Sequence, residues 1–381
     1  MAYKSFKTEI DPNPEQAQKI RQTIGVCRYV YNLYLAHNKE VYENNGSFVS
    51  AKDFNKHLNH FHCIVADPWI KDVSTKAVSK VVTNAEIAFK RFFNKQSGFP
   101  KYKKKSRQDQ SFYMVQSVHI ERHRVKLPTL GWVKLKEFGY IPTYATVKSA
   151  TVTHKAGRYY ISVLCEDPET QAPKQNTNQG LGLDLGIKDF AISSDGQVFG
   201  NINKTIRVKK LEKRLKREQN SLSRKLEHKK SNRGECTYKG KNLNKKKLRV
   251  QVLHKRLADV RKGYQVYVIK QLAKTKPAFI TIENLQVKNM MRNRHLSKAI
   301  QQQSFYQFKL LLTQACKSLG IELREVSTWY PSSKMCSSCG VINRNLKLSD
   351  RQYICDCGLN IDRDINSSLN LKQAVDYKVL V

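Results

Sequence analysis

Acidic residues are scarce in this sequence. Its 381 residues include 31 Asp and Glu against 69 Lys and Arg, which gives a formal net charge of +38 at pH 7. The sequence also has no apolar run of about eighteen residues, the length that a membrane-spanning helix needs, and the segment MAYKSFKTEIDPNPEQ is too polar for a secretory signal. We therefore expect no membrane partner and a cytoplasmic protein. The charge indicates a polyanionic partner, for which nucleic acid is the default.

Cysteines are not scarce, but most are isolated in sequence. Five of the nine are scattered singly and suit buried free thiols better than an oxidised framework: Cys27, Cys63, Cys165, Cys236 and Cys316. This usage indicates a reducing compartment.

The other four cysteines form two tight pairs. Cys336 and Cys339 lie in CSSCG, and Cys355 and Cys357 lie in CDC after the fifteen residues from Gly340 to Ile354. Four thiolates at this separation can close tetrahedrally on one Zn²⁺. A disulfide pair or unrelated free thiols are the alternatives. Because four cysteines leave no open position for water, we expect this zinc to be structural.

The first part of the chain predicts a strand, a helical bundle and then a sheet. Tyr3 to Ile10 reads as a short strand, and the apolar positions from Ile20 to Tyr34 and from Val78 to Phe93 follow helical spacing. Between Ser111 and Glu166, four segments alternate apolar with polar residues, which predicts an antiparallel barrel or sheet. The first strand could join it, which would make the bundle an insertion. The polar segment from Asp167 to Gly180 predicts a domain boundary.

Three acidic positions stand out in the second part of the chain. In LGLDLG, Asp184 lies on the polar face of a strand between Gly182 and Gly186, and we expect the small neighbours to leave room for a metal ion and a phosphate. AFITIENL is a buried strand that ends in Glu283. The third acid is Asp362 or Asp364, after the last cysteine pair. Each acid alone is unremarkable, since a strand-end surface position or a helix N-cap would explain it.

The order of the elements can bring these acids to one point. The pattern predicts a strand, a hairpin, helices, a second strand and, after the cysteine pairs, a terminal helix. Three carboxylates that meet repel one another and need a cation, and hard oxygen ligands select Mg²⁺ or Mn²⁺. Such ions would support hydrolysis of a phosphodiester.

Two basic segments are candidates for nucleic-acid contact. Residues 204–262 hold 23 Lys and Arg against five acids, with a leucine stripe from Leu211 to Leu226 that predicts amphipathic helices docked on a core. The segment GFPKYKKKSRQDQSF is either a solvated linker or a phosphate-binding stretch. The candidate residues are Lys101, Lys103, Lys104, Lys105, Arg107, Lys209, Lys210 and Arg214.

Four motifs together resemble a known family. GLDLGIKDFAISSDG, ITIENLQVKNMM, YPSSKMCSSCG and CDCGLNIDRDINSSLNL are similar to the RuvC segments and zinc ribbon of the TnpB proteins, which insertion sequences encode and which are compact relatives of type V CRISPR effectors. IGVCRYVYNLYL and LGWVKLKEF match in type and order, so the resemblance spans nearly the whole chain.

The resemblance implies a fold with several domains. The class would be α+β, with an RNase H-like RuvC nuclease domain at 173–333 and 359–381 that contains an inserted zinc ribbon at 334–358. A wedge-type β-barrel at 1–10 and 109–172 would precede it, with an inserted helical recognition bundle at 11–108.

The resemblance also implies catalytic residues and metal ligands. Asp184, Glu283 and Asp364 match the catalytic, Mg²⁺-binding acids, and Asp362 would be a cap or a partner of Arg363. The four paired cysteines match the zinc ligands. Two departures are the C-x-C spacing of the last pair and the segment RKGYQVYVIK, which lacks the Asp and His of many relatives.

The implied function is RNA-guided cleavage of double-stranded DNA next to a transposon-associated motif. The partners would be a guide RNA from the transposon end and target DNA, bound by a monomer with one RNA. A cleavage-silent, RNA-guided DNA-binding repressor and an accessory transposase are the alternatives, and RNase H-like folds support both strand transfer and hydrolysis.

Overall fold

Two units make up the chain. The computed structural model describes residues 2–105, 110–115, 117–167, 179–231, 241–347 and 350–381. The units are Met1–Thr170 and Gln171–Val381. Within the described residues, no helix combines the length and the apolar character that crossing a bilayer requires.

The first unit is built on a seven-stranded antiparallel sheet. Its order is β2-β6-β7-β1-β5-β4-β3, so the N-terminal strand pairs with β7 along nearly its whole length and with β5 at its end. Alternate residues such as Val152, Ile161 and Val163 face the core. The predicted N-terminal strand and antiparallel sheet are confirmed, but one of the four predicted segments forms two strands, β3 and β4, and β2 was not predicted. The strands are β1 (Ala2–Asp11), β2 (Gln110–Val115), β3 (His119–Ile120), β4 (Arg124–Leu127), β5 (Gly131–Leu135), β6 (Thr146–Lys155) and β7 (Arg158–Asp167).

The helices of the first unit all lie between β1 and β2 in the chain. Asn13 caps the first helix in a reciprocal capping box with Gln16, and Tyr34, Phe54 and Phe89 pack edge-on in the core. The helices are α1 (Pro14–Asn45), α2 (Ala51–His57) and α3 (Thr75–Phe93), with a π-helical segment at Leu58–Ala66 and a 3₁₀ turn at Pro68–Asp72.

The second unit contains a mixed six-stranded sheet in the order β10-β9-β8-β11-β12-β15. The first three strands form an antiparallel meander, and β8, β11 and β12 run parallel to one another. The carboxyl ends of these parallel strands therefore share one edge of the sheet. The strands are β8 (Leu181–Leu185), β9 (Asp189–Ser193), β10 (Val198–Gly200), β11 (Phe279–Glu283), β12 (Glu322–Val326) and β15 (Lys378–Val379), with a separate hairpin of β13 (Gln352–Ile354) and β14 (Asn360–Asp362).

The second unit contains the two predicted amphipathic basic helices. The leucine stripe of α4 packs against α5 in a small core that includes Leu211, Leu215 and Leu253. The polar segment after β11 contains α6 and the start of α7. The helices are α4 (Ile206–Ser231), α5 (Lys241–Lys274), α6 (Val287–Met290), α7 (Ser297–Gln303), α8 (Phe305–Leu319) and α9 (Arg363–Gln373), with a 3₁₀ turn at Ile202–Lys204.

The glycine before Asp184 has a role that we did not predict. We expected Gly182 to leave space for a metal ion and a phosphate, but α9 occupies that space. A Cβ at Gly182 would lie 1.9 Å from the Ser368 carbonyl oxygen and 2.4 Å from the Lys372 backbone nitrogen. The glycine therefore allows the backbone of α9 to lie directly on β8, which fixes the distance between the first strand and the terminal helix.

Replacing Gly182 with Ala should destabilise the second unit strongly. The clash is with helix backbone, which cannot move as a side chain can, so we expect a loss of about 3 kcal/mol or more in the free energy of unfolding. Thermal and denaturant unfolding measure it. Gly263→Ala in α5 is the matched control, since no atom lies within 4 Å of its Cβ position; it should stabilise by about 0.5–1 kcal/mol. Equal stability of Gly182→Ala and wild type would contradict the close packing.

Candidate functional site

Three carboxylates lie around the carboxyl edge of the mixed sheet. Asp184 is the fourth residue of β8, and Glu283 is the last residue of β11, the parallel neighbour of β8. Asp364 lies in the first turn of α9, which packs on β8. Segments that are far apart in the chain thus meet here because the crossover between the parallel strands and the final helix returns the chain to the same edge.

The three carboxylates influence one another electrostatically. Burial raises the pKa of Asp184 well above its usual range, and the charges of Glu283 and Asp364 raise it further. A hydrogen bond from the Ser367 hydroxyl to Asp184, 3.3 Å long, opposes these effects on its pKa. Burial also raises the pKa of Glu283, against a hydrogen bond that the Ser332 hydroxyl donates to it. The site therefore resists full ionisation unless a cation is present.

The carboxylates are near one another without forming a compact ligand cluster. In the described ranges, one group of three or more His, Cys, Asp or Glu side chains has all its ligand atoms within 4.8 Å, and that group consists of cysteines. The carboxylate oxygens are held separately by Ser332, by Ser367 and, at Asp364, by arginines.

The two aspartates before α9 have different roles. Asp362 is the N-cap of the helix, and its Oδ1 accepts hydrogen bonds from the backbone N–H groups of Asp364 at 2.8 Å and Ile365 at 3.3 Å. Asp364 lies 3.6 Å from Arg363 and 3.9 Å from Arg351, measured from its carboxylate oxygens to the guanidinium nitrogens. The ion pair of Arg363 is therefore with Asp364. Asp364 is also the aspartate whose charge acts on Asp184.

Two buried asparagines connect α9 to the loop that supports Glu283. Asn370 donates hydrogen bonds to the carbonyl oxygens of Ser332 at 2.7 Å and Met335 at 2.6 Å. Asn366, one turn earlier, donates to the Met335 carbonyl at 2.7 Å and accepts from the Ser337 N–H at 3.0 Å. Both asparagines are fully buried. Because buried amides are costly when unpaired, this set of bonds fixes the loop in one position.

Sequence reasoning did not identify these supporting residues. Ser332, Ser367, Asn366 and Asn370 lie inside motifs that we quoted, but their polarity alone suggested nothing more than helix-surface or loop positions. The i, i+4 spacing of the asparagines in DINSSLNL is the signal that was available, since it places two amides on one face of a helix that must be buried on that side.

The four paired cysteines converge at the start of the same loop. Cys336 Sγ lies 3.6 Å from Cys357 Sγ, and Cys339 Sγ lies 3.6 Å from Cys355 Sγ. A tetrahedral zinc site with Zn–S bonds of about 2.3 Å has S–S distances of about 3.8 Å. Backbone turns at Gly340, with φ of 76°, and Gly358, with φ of 91°, bring the thiols together. The short C-x-C spacing is therefore compatible with one four-sulfur site.

The thiols do not share one ionisation behaviour. Burial raises the pKa of Cys336, but hydrogen bonds from backbone N–H groups of Cys339 and Ser338 outweigh it and lower that pKa to about 7. A backbone N–H of Cys357 lowers the pKa of Cys355, but desolvation and contacts with the other three thiols outweigh it and raise that pKa to about 12. Cys336 therefore ionises readily whereas Cys339 and Cys355, whose pKa values are raised, resist ionisation, and a bound cation would favour their thiolate forms.

Most of the predicted nucleic-acid-binding residues are exposed, on separate elements. Lys209, Lys210 and Arg214 lie on the exposed face of α4. The Lys103 ammonium lies 3.9 Å from the centre of the Tyr31 ring, and desolvation lowers its pKa. Arg107 lies outside the described residues. The other three are exposed: Lys101, Lys104 and Lys105.

Three family models match the chain. One described as "Cas12f1-like, TNB domain" matches residues 305–371, from α8 to α9 and including all four paired cysteines. One described as "Probable transposase" matches residues 161–294, which contain Asp184 and Glu283. One described as "Helix-turn-helix domain" matches residues 1–47, which fold here as β1 and the single helix α1. Together the models cover most of the second unit and the two ends of the first.

Two named protein sequences and a solved structure are similar over nearly the whole chain. A Streptomyces pristinaespiralis protein named "Putative RNA-guided DNA endonuclease" is 29% identical, covering 97% of this chain and 89% of that protein. "Putative RNA-guided DNA endonuclease InsQ" of Escherichia coli K12 is 29% identical, covering 97% and 92%. In the cryo-EM structure of the Cas12f1–sgRNA–target DNA complex, one chain has a TM-score of 0.57 at 15% identity, covering 96% of this chain and 84% of that one. This last match shows a shared fold.

Replacing Asp184 with Asn should stabilise the metal-free protein. The raised pKa means that folding favours the protonated form, so this group's contribution to stability is full below its unfolded pKa and is lost as pH rises through its folded pKa. At pH 7 in EDTA, Asp184→Asn should therefore raise Tm, by about 2–4 °C for each kcal/mol of repulsion that is removed. Mg²⁺ should raise the Tm of the wild type and have less effect on the variant.

Asp195→Asn is the matched control for this measurement. Asp195 is exposed in the turn between β9 and β10, where it accepts hydrogen bonds from Gln197. Its substitution should leave the Mg²⁺-dependent increase in Tm unchanged. A lower Tm for Asp184→Asn than for wild type in EDTA would contradict the repulsion among the three acids.

Proposed function

Because the chain belongs to the TnpB family, we propose that it is a transposon-encoded, RNA-guided DNA endonuclease. Its fold is that of a compact, RuvC-containing α+β nuclease. The observation that supports the activity most directly is the meeting of Asp184, Glu283 and Asp364 at one sheet edge, where Glu283 and Asp364 raise the pKa of Asp184. Full-length similarity to two proteins named as RNA-guided DNA endonucleases supports the same proposal.

In this proposal the three acids hold divalent cations, Mg²⁺ or Mn²⁺. The donor set fits, since carboxylate oxygens are the ligands these ions prefer, and a cation would offset the burial that raises the pKa of both Asp184 and Glu283. When bound, such ions supply activation of a water molecule and stabilisation of the leaving 3′ oxygen.

The surrounding residues orient the acids. The Ser332 hydroxyl holds one oxygen of Glu283, and the Ser367 hydroxyl holds one oxygen of Asp184, so each acid keeps its second oxygen for a ligand. The N-cap at Asp362 fixes the first turn of α9 and therefore the direction of Asp364. Arg351 and Arg363 beside Asp364 supply positive charge where the DNA phosphate would lie.

We assign sequence reading to the guide RNA and not to the protein. Base pairing selects the target, while the protein binds the adjacent duplex motif and the heteroduplex backbone. The proposed architecture has a wedge-type barrel at 1–10 and 109–172 and a recognition bundle at 11–108. The proposed phosphate contacts include Lys101, Lys104 and Lys105 for the guide RNA, and Lys209, Lys210 and Arg214 on α4. The exposure of these cations and the net charge of +38 support this role.

We further propose that the four paired cysteines hold a structural Zn²⁺ within a ribbon at 334–358. The sulfur spacing supports this, and Asn366 and Ser337 link the ribbon to α9. The metal would thereby stabilise the loop that contains Ser332 and the helix that contains Asp364. The active protein would be one chain with one guide RNA, acting on DNA in the nucleoid.

Replacing Asp184 with Ala should abolish cleavage while binding persists. We expect plasmid cutting by the chain with its guide RNA to fall by at least about 10³-fold, as for loss of a group that acts with its neighbours in one catalytic unit. Single-turnover cleavage of a matched plasmid in Mg²⁺ and filter binding of the target measure the two effects. Asp195→Ala, at an exposed turn, is the control that should cut normally.

The possible results separate the three hypotheses. Retained cutting by Asp184→Ala would remove Asp184 from the site. A wild-type complex that binds matched DNA without cutting it would indicate the cleavage-silent repressor. An accessory transposase would require no discrete RNA, so heterogeneous nucleic acid that salt removes would favour that alternative.

Removing one exposed cysteine ligand should release zinc. We expect about one Zn²⁺ per chain in the purified wild type and less than a quarter of that in Cys339→Ser, because a three-thiolate site binds more weakly. Metal analysis by mass spectrometry measures the content, and a lowered Tm should accompany the loss. Cys316→Ala removes a buried thiol from the same unit and should retain the metal. Full zinc content in Cys339→Ser would contradict the four-cysteine site.

A further inference from the structure

One tryptophan is almost completely exposed near the candidate active site. Trp329 has 90% of its surface accessible. Tryptophan side chains bury large apolar areas when a partner is present, so an indole that is left in water at a fixed position suggests a ligand that covers it. A single exposed aromatic residue is by itself ordinary, so its surroundings decide the interpretation.

The turn that contains Trp329 is fixed to the candidate active site. β12 ends at Val326, which pairs in register with Glu283 at the end of β11. The Thr328 hydroxyl donates to the Asn284 carbonyl at 3.2 Å and accepts from the Gln286 side chain at 3.3 Å. Three residues after Trp329, Ser332 bonds Glu283. The indole is therefore displayed from a rigid support within a few residues of the second acid.

A cavity shares its wall with the same site. Its volume is about 440 Å³, within the range of ligand-binding pockets. Glu283 lies at one side, Gln286 connects the wall to the Trp329 turn, and Tyr306 adds a second exposed ring, with 66% of its surface accessible. Much of the remaining lining is apolar and includes Leu285 and Met291. The cavity suits a flat, mainly apolar group with a polar edge.

The charge of the segment that follows β11 indicates the chemical class of the ligand. Residues 284–309 contain five Lys and Arg and no Asp or Glu. Lys309 pairs with Glu325. The other four cations are exposed and form no ion pair with any part of the chain that the structure describes: Lys288, Arg292, Arg294 and Lys298. Lys288 lines the cavity together with Tyr306, and the other three cations follow it in the chain. Cations and aromatic rings on one wall are the composition of a site for single-stranded nucleic acid, in which phosphates pair with the cations and bases stack.

We propose that Trp329 is a stacking platform for an unpaired base of the DNA strand that enters the candidate active site, and that the cavity at Tyr306 receives the adjoining nucleotide. The proposal rests on the proposed nuclease function, because it assigns the ligand from the substrate of that site. Duplex DNA is excluded at this position, since bases inside a helix have no free face for an indole. The strand must therefore be opened before it reaches the acids.

A fluorescent base analogue tests the stacking directly. The complex of the Asp184→Ala chain with its guide RNA is bound to target DNA that contains 2-aminopurine at successive positions near the cut. Stacking on an indole should quench the analogue at one or two positions. Trp329→Ala in the same background should restore the signal, and Trp329→Phe should retain part of the quenching.

Cleavage gives the second readout. In the otherwise wild-type chain, Trp329→Ala should slow single-turnover cutting between about fivefold and 150-fold, the range expected for loss of one base–aromatic stack, and Trp329→Phe should recover most of the rate. Because Trp329 is so exposed, its substitution should not affect folding. Val375→Ala, which removes an exposed apolar side chain from the same unit, should cut at the wild-type rate.

The outcomes distinguish this proposal from the proposed function. Unchanged quenching in Trp329→Ala, together with unchanged cutting, would overturn the platform. Weaker binding of the guide RNA alone by Trp329→Ala, with the DNA signal unaffected, would also overturn it, because the ligand would be RNA. A wild-type chain that fails to cut would refute the nuclease activity, but the fluorescence of bound DNA would still report whether Trp329 stacks.

Discussion

The second unit depends on the contact between helix α9 and strand β8. Gly182 lets the two backbones meet, and Asn366 and Asn370 then extend the contact by binding the carbonyl and N–H groups of the loop from Ser332 to Ser337. One helix therefore sets the position of three things at once: Asp364 in its first turn, Asp184 on the strand beneath it, and Glu283 through Ser332. Since these amides are buried, an error in this packing would leave several polar groups unpaired, so the arrangement has no close alternative of similar energy.

This contact also explains why the cysteine pairs and the acids lie next to each other in sequence. The chain passes from β12 through the first cysteine pair into the hairpin of β13 and β14, whose connection contains the second pair, and from β14 directly into α9. A cation on four thiolates would order a segment that has few apolar residues of its own, and its buried Tyr353 donates to two backbone carbonyls at its base. Hydrogen bonds, and not a hydrophobic core, connect that segment to the elements that hold the acids.

Electrostatics divides the chain into two kinds of region. The chain as a whole is strongly basic, with a net charge of +38, whereas the sheet edge brings together carboxylates, and the charges of Glu283 and Asp364 raise the pKa of Asp184. A polyanion is attracted by the first region and would be repelled by the second, unless cations lie between the acids. The exposed Trp329 lies in the turn that supports Glu283, where we propose that a DNA strand reaches the acids.

The sequence by itself determined the local features: the alternation that makes β1 and β3 to β7, the capped helix after Asn13, the strands that end near Asp184 and Glu283, and the spacing of the four cysteines. These depend on periodicity and residue chemistry within a few residues. Only the tertiary structure decided that Gly182 allows α9 to lie on β8 and that the leucine stripe of α4 packs against α5. It also decided that Asp362 caps α9 while the charge of Asp364 raises the pKa of Asp184. It also revealed Ser332, Asn366 and Asn370, because a polar residue becomes a fixed support only when its partner, distant in the chain, is brought to it and water is excluded.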